Sequence, residues 1–243
     1  MKSAVAAAPG WRSLAYPFIA LAMAIALSVR PVLPAPEDAN PVRQVEDGTL
    51  LVLNVDDDTI AQGTAFAIDA EGTVVTNYHV ARSGGAVYVA PPDGAMIPCT
   101  RVAVAPELDL AILKASAPVP FLRAGDARQV RAGERVATTG YPRRLSRGLD
   151  DGVGRPVTTH GVVQGVRERG VEIEGRPLVL LRTTARVEPG NSGGPLFRPD
   201  TGEVIGVMAA GLAINKRLTG VTFAIPINEV YGLQRRQPTT AGR

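Results

Sequence analysis

From Thr49 to Ile227 the chain is a succession of short, Val-rich apolar runs, each closed within a few residues by a turn signal. That rhythm limits the fold more than any other feature of the sequence. TLLVLNV (49–55) stops at Asp56-Asp57-Asp58, GTAFAI (63–68) at DAEG, and TVVTNYHV (73–80) just before SGG. AVYVA (86–90), CTRVAVA (99–105) and DLAILKA (109–115) follow, the last closed by Pro118 and Pro120. A second set comprises ERVATTGY (134–141), PVTTHGVVQGV (156–166), VEIE (171–174), PLVLLRTTA (177–185), EVIGVMAA (203–210) and VTFAIPI (221–227). Only NEVYGLQRR (228–236) reads as a helix, with Asn228 as its N-cap. About a dozen strands and almost no helix predict an all-β body, either a sandwich or a pair of barrels. Between the strands, Arg143 to Pro156 forms a long polar loop.

The composition fits a packed globular body, with 45% hydrophobic and 20% charged residues. The net charge of +3 gives no case for nucleic-acid binding. Lys2, Arg12 and Arg30 fall in the first 30 residues, and the remainder carries 23 basic against 23 acidic groups. Arg143, Arg144 and Arg147 read as solvated loop charges. Cys99 is the only cysteine, so no internal disulfide can form. Cys99, His79 and His160 have no ligand spacing for zinc, and neither a metal nor another cofactor is expected.

The amino terminus is set apart from this body. Residues 14–29, LAYPFIALAMAIALSV, follow Lys2 and Arg12 in the layout of a secretory signal. The run is shorter than the roughly 20 residues of a comfortable membrane helix. No small-x-small cleavage site follows it, because Arg30 and Pro31 interrupt. The expectation is a signal peptide or signal anchor over 1–30, a possible membrane tether through 14–29, and a Pro-rich linker over 31–48. Either form of the segment places the body outside the cytoplasm.

Three residues in the body have the chemistry of acyl transfer, which needs a hydroxyl nucleophile, a base and a carboxylate that fixes the base's tautomer. His79 stands where TVVTNYHV meets a loop. Asp109 enters an otherwise apolar strand, where its carboxylate needs a hydrogen-bond partner, and His79 can supply an imidazole N–H. Ser192 sits in GNSGGPL. The N–H groups of Gly190 and Ser192 can meet one oxyanion if the chain between them curls, and Gly190 tolerates the positive φ of such a curl. Gly193 and Gly194 keep side chains off the substrate and let the next strand come close. His160, in TTHGVVQGV, competes weakly for the role of base and is expected to face out of its strand.

Taken together, GTAFAI, TNYHV (76–80), DLAILK (109–114), the stretch from GDA (125–127) to GYP (140–142), GNSGGPLF (190–197) and VTFAIPI resemble the trypsin-like serine proteases, and among them the HtrA/Deg branch. The motifs occur in the family's order across residues 49–232. The order His, Asp, Ser is that of the two-barrel proteases, whereas α/β-hydrolases run Ser, Asp, His. The resemblance implies two six-stranded antiparallel β-barrels of chymotrypsin-like type, about 49–120 and 121–227, with a short C-terminal helix and a polar tail over 233–243. It implies a catalytic triad of His79, Asp109 and Ser192 and an oxyanion hole of Gly190 and Ser192. Val187 and the strand Met208, Ala209, Ala210, Gly211 would line the cleft for protein or peptide substrates. Asn191 stands where zymogen-type relatives have aspartate.

The sequence also departs from the family. Thr184 stands where Asp is common, and Arg186 and Glu188 add charges just before the serine that could alter how the loop settles. The last strand is followed by too few residues for the PDZ domain, of roughly 90 residues, that many relatives carry. The expected function is a serine endopeptidase acting on extracytoplasmic proteins, possible in protein quality control. The alternatives are a catalytically silent relative that binds unfolded peptides or a partner protein, and an esterase, which would lack the usual strand-turn-helix elbow around its serine.

Overall fold

The computed structural model describes residues 40–57, 59–82, 84–143, 153–173, 176–209 and 222–236. Residues 14–29 and the tail beyond 236 lie outside them, as do Arg144 and Arg147. Among the described residues no helix is long and apolar enough to cross a membrane.

Among the described residues twelve strands close into two antiparallel barrels of six. The first contains β1 (Thr49–Val55), β2 (Ile60–Ala67), β3 (Thr73–Asn77), β4 (Ala86–Ala90), β5 (Ile97–Ala105) and β6 (Leu110–Ala115), hydrogen-bonded in the order β1-β2-β3-β6-β5-β4. The second contains β7 (Arg135–Gly140), β8 (Val157–Ile173), β9 (Arg176–Thr183), β10 (Pro195–Phe197), β11 (Val204–Met208) and β12 (Thr222–Pro226), in the order β10-β11-β12-β9-β8-β7. Closure leaves neither sheet with an unpaired edge.

The barrels explain why several strands are apolar on both faces. A lone barrel would alternate apolar-in with polar-out, but here the outer faces are covered too. In β1, Leu50 and Val52 point into the first barrel, while Leu51 and Leu53 lie on its outside beneath Tyr141. In β6, Ala111 and Leu113 point inward. Leu110 and Ile112 join Phe66 and Val75 in a second cluster outside the barrel. That cluster is completed from the other half of the chain by Phe197, Val207, Phe223 and Ile225. The second barrel has its own interior of Val136, Val163, Leu181, Leu196, Ile205 and Met208. The largest buried layer therefore lies between the barrels.

Two helices close this layer. Residues 41–48, expected as the end of a linker, form helix α1 (Pro41–Gly48). Pro41 occupies its first turn, where a missing N–H costs nothing, and the Asn40 side chain accepts from Val42 N at 3.0 Å. Val45 is buried in the inter-barrel cluster. The C-terminal helix is α3 (Ile227–Arg235), which buries Ile227, Val230 and Leu233 in the same cluster. Asn228 is not its N-cap, which is Pro226. The Asn228 side chain instead accepts from Ala127 N and donates to Asp126, tying α3 to the turn Ala127–Gln129. The helix itself was legible, whereas the tertiary partner that takes Asn228 was not.

Phe66 is fully buried in the inter-barrel cluster. Phe66→Ala is expected to lower unfolding free energy by about 3–5 kcal/mol, read from denaturant melts, because it leaves a cavity that the paired strands cannot collapse.

Candidate active site

His79 lies on one short helical turn, α2 (Tyr78–Ala81), placed directly after β3. The strand expected to run through Val80 thus ends at Asn77, and the turn lifts the imidazole off the sheet. Asp109 follows a 3₁₀ turn, Pro106–Leu108, and adopts the left-handed conformation with φ 51° and ψ 40°. Among non-glycine residues, aspartate and asparagine are those that accept this geometry most readily.

The two residues are bound at several points. The Asp109 carbonyl accepts from Tyr78 N at 3.0 Å and from the Asn77 side-chain amide at 3.0 Å. Its carboxylate accepts from His79 N at 2.9 Å, and lies 2.8 Å and 3.0 Å from His79 Nδ1 through its two oxygens. A carboxylate can only accept, so the hydrogen belongs on Nδ1 and the lone pair of Nε2 is left to act as a base. The Asp109 side chain is 11% exposed and that of His79 is 41% exposed, so the carboxylate is shielded while the imidazole reaches solvent.

Ser192 is buried in a loop that leaves β9 and returns through β10. Its carbonyl accepts from Thr64 N in the first barrel at 2.8 Å. A Cβ added at Gly63 would fall 2.7 Å from Val80 Cγ1 and 3.2 Å from Ser192 O. The serine's backbone is therefore within one side chain of the residue following His79. Gly193 donates to Met208 O at 2.8 Å, and Met208 N donates to Gly194 O at 2.8 Å.

Gly190 has φ 106°, and a Cβ there would sit 2.3 Å from Tyr141 O. Gly193 has φ 87° and would meet Thr64 O at 2.2 Å. Both positions require glycine on conformation and on space. Apart from Asn191 O in the loop itself, the atoms that crowd Gly193 and Gly194 belong to β2, β3 and β7. Those glycines thus serve the approach of the barrels to the loop.

The other expected residues fall in less uniform places. Val187 is half-buried and packs against the interior of the second barrel. Ala209 is buried in the inter-barrel cluster, and its N–H donates to Phe223 O. Ala210 and Gly211 lie outside the described residues. Arg186 is exposed, and its carbonyl accepts from Thr159 Oγ1. Thr184 Oγ1 accepts from Val162 N, so the hydroxyl serves the neighbouring strand. Glu188 is half-buried, and its carbonyl accepts from Asn191 N at 2.9 Å, closing the turn before the serine. His160 is exposed on β8, opposite Ala137. Cys99 is partly buried, and its thiol is pushed up to about 11 by burial. Among the described residues no cluster of histidine, cysteine and carboxylates could hold a metal ion.

A strand residue at the site was also not anticipated in any chemical role. Thr64, quoted above within GTAFAI, binds the carbonyls of both Gly190 and Ser192.

The trypsin-like peptidase domain family matches residues 63–207. A probable periplasmic serine endoprotease DegP-like of Brucella suis biovar 1 is 37% identical over 171 residues, covering 69% of this chain and 31% of that protein. Protease Do-like 1, chloroplastic, of Arabidopsis thaliana is 33% identical over 176 residues, covering 70% of this chain and 38% of its own length. Among solved structures, the HtrA-type protease AlgW with tripeptide superposes with a TM-score of 0.68 at 25% identity, over 82% of this chain and 63% of that one. The chain thus spans about a third of the length of these curated relatives. The family match runs from within β2 to within β11 and includes the loop between β9 and β10, and the chain belongs to the trypsin-like peptidase family, within its HtrA/Deg type.

Proposed function

We propose that this chain is a serine endopeptidase that hydrolyses peptide bonds in proteins outside the cytoplasm. The observation that carries the reading is the His79–Asp109 pair, in which one carboxylate accepts from both the backbone N–H and the ring Nδ1 of the same histidine. That arrangement fixes ring orientation and tautomer together.

In the proposed cycle Ser192 Oγ attacks the peptide carbonyl while His79 Nε2 takes its proton. Asp109 stabilises the imidazolium that forms. The N–H groups of Gly190 and Ser192 meet the oxyanion, His79 protonates the leaving amine, and water resolves the acyl-enzyme. Each oxyanion donor contributes on the order of 3 kcal/mol to lowering the barrier. Val187 lines the pocket for the residue before the cut. Relatives named as periplasmic endoproteases support an extracytoplasmic site of action, and a role in protein quality control goes with it. The leader over 14–29 would deliver the chain there.

The test is labelling with a fluorophosphonate probe beside a casein digest, with Ser192→Ala as the control. Labelling and proteolysis that both vanish in the control support the reading. Absence of labelling in the wild-type chain favours a peptide-binding relative, and labelling without proteolysis favours an esterase. The apolar lining at Val187 also predicts cleavage after small to medium aliphatic residues. A peptide-library digest that cuts only after Arg or Lys would sink this preference.

A further inference from the structure

We propose that Thr64, in the first barrel, is the positioning residue that holds the oxyanion-binding loop of the second barrel in its working shape. The inference rests on the triad and oxyanion hole proposed above.

Thr64 is fully buried on β2. Its N–H donates to Ser192 O at 2.8 Å, and its hydroxyl donates to Gly190 O at 2.7 Å. The same hydroxyl accepts from Tyr141 N at 3.0 Å, and the Thr64 carbonyl accepts from Thr76 Oγ1 at 2.8 Å. A carbonyl can only accept and a backbone N–H can only donate, so the hydroxyl proton has one direction open to it. The branched side chain also has few rotamers. Thr64 is therefore a rigid, fully used hydrogen-bond donor set facing the loop.

What it holds is the peptide geometry on which the oxyanion site depends. Pro189 O accepts from Arg143 N at 2.8 Å, and no described peptide bond is cis. In a trans peptide the C=O and N–H point opposite ways. The Gly190 N–H is thereby turned away from Arg143. On its other side Gly190 is held through its own carbonyl by Thr64. The two neighbouring carbonyls, of Pro189 and Gly190, are fixed by Arg143 N and by the Thr64 hydroxyl, and Gly190 keeps φ at 106°. Glycine is soft to rotation, so this conformation depends on its partners.

Removing the hydroxyl leaves two buried backbone groups, Gly190 O and Tyr141 N, without a partner. Rotation about Gly190 lets its own carbonyl find another partner, and it also misaims the N–H that must meet the oxyanion. The cost falls on the transition state and leaves substrate binding alone.

The experiment compares wild type, Thr64→Val and Thr64→Ser on a fluorogenic peptide. Thr64→Val is expected to lower kcat about 10²-fold, near the effect of losing one oxyanion donor, with KM changed less than about threefold. Thr64→Ser keeps the hydroxyl and is expected to restore kcat to within about fivefold of wild type. A peptide boronate, which forms a tetrahedral adduct on the serine, should lose affinity in Thr64→Val in step with kcat/KM. Binding of an uncut peptide to Ser192→Ala should be unchanged by adding Thr64→Val. Thermal melts identify any variant that does not fold. Should Thr64→Val be one of these, Thr64→Ser decides alone, since loss of activity with the hydroxyl retained assigns Thr64 to packing and overturns the proposal. A KM rise with kcat intact overturns it as well. An active wild type with an equally active Thr64→Val sinks the positioning role alone, whereas an inactive wild type overturns both this role and the proposed function.

Discussion

Ser192→Ala is expected to lower peptide hydrolysis by about 10⁶-fold, and His79→Ala by nearly as much, with the double variant no worse than either single one. The non-additivity is the informative part. In the proposed cycle nucleophile and base act as one unit, because His79 has no proton to take once Oγ is gone and Oγ has no base once the imidazole is gone. What survives, about 10³–10⁴-fold over water, comes from the oxyanion donors and binding. These remain because the main chain of Ser192 and Gly193 is held by Thr64 N and Met208 O, neither of which senses the serine side chain. Ser192→Ala should therefore melt with the wild type. The comparison needs kcat on a fluorogenic peptide for all three variants, with active-site titration of the wild type to set the scale. A double variant much slower than both singles would mean that the two residues act in separate steps, and His160→Ala should leave the rate unchanged.

The parts of the site that the sequence made legible are those whose setting is local. His79 is visible because a polar, titratable residue ends an apolar strand, and Asp109 because a carboxylate enters one. The glycines around Ser192 are visible because a positive φ leaves a residue-type signature. Most strands were legible for the same reason, since turn residues bracket each run. VEIE was separated from PVTTHGVVQGV, but β8 runs on from the second of these into the first as far as Ile173, as the register shifts between Val163 and Val171 absorb the polar interruption against β9. The apolar run after the loop that carries Ser192 conceals β10, three residues paired with β7 and β11. Thr64 had no local signature at all. Its partners Tyr141 and Gly190 lie 77 and 126 positions away, and only closure of the two barrels brings them to one hydroxyl. Strand residues that read as filler in a motif can therefore carry a site's geometry.

Asp109→Asn is expected to lower kcat about 10⁴-fold while leaving the fold intact. The left-handed backbone of Asp109 suits asparagine nearly as well as aspartate, and the bonds from Tyr78 N and the Asn77 amide go to the Asp109 carbonyl, which the substitution keeps. The damage is confined to the side chain. Its two oxygens now meet two N–H groups of His79, the backbone N–H at 2.9 Å and Nδ1 at 2.8 Å. An amide offers one oxygen and one NH₂. If the oxygen stays on the backbone N–H, the NH₂ faces Nδ1, and the ring must move its hydrogen to Nε2. The lone pair that should receive the serine proton is then gone. If the oxygen turns to Nδ1, the NH₂ collides with the backbone N–H and the short turn carrying His79 is pushed out of place. Neither arrangement supports catalysis. Asp109→Ala should differ from it in one respect, since alanine in the left-handed region costs about 1 kcal/mol or more of stability. The pair of variants thus separates two functions of one residue: both should lose activity in a kcat assay, while thermal melts should show a shift for alanine alone. An Asp109→Asn enzyme within tenfold of wild type would remove Asp109 from the catalytic unit and leave it as a cap for the turn.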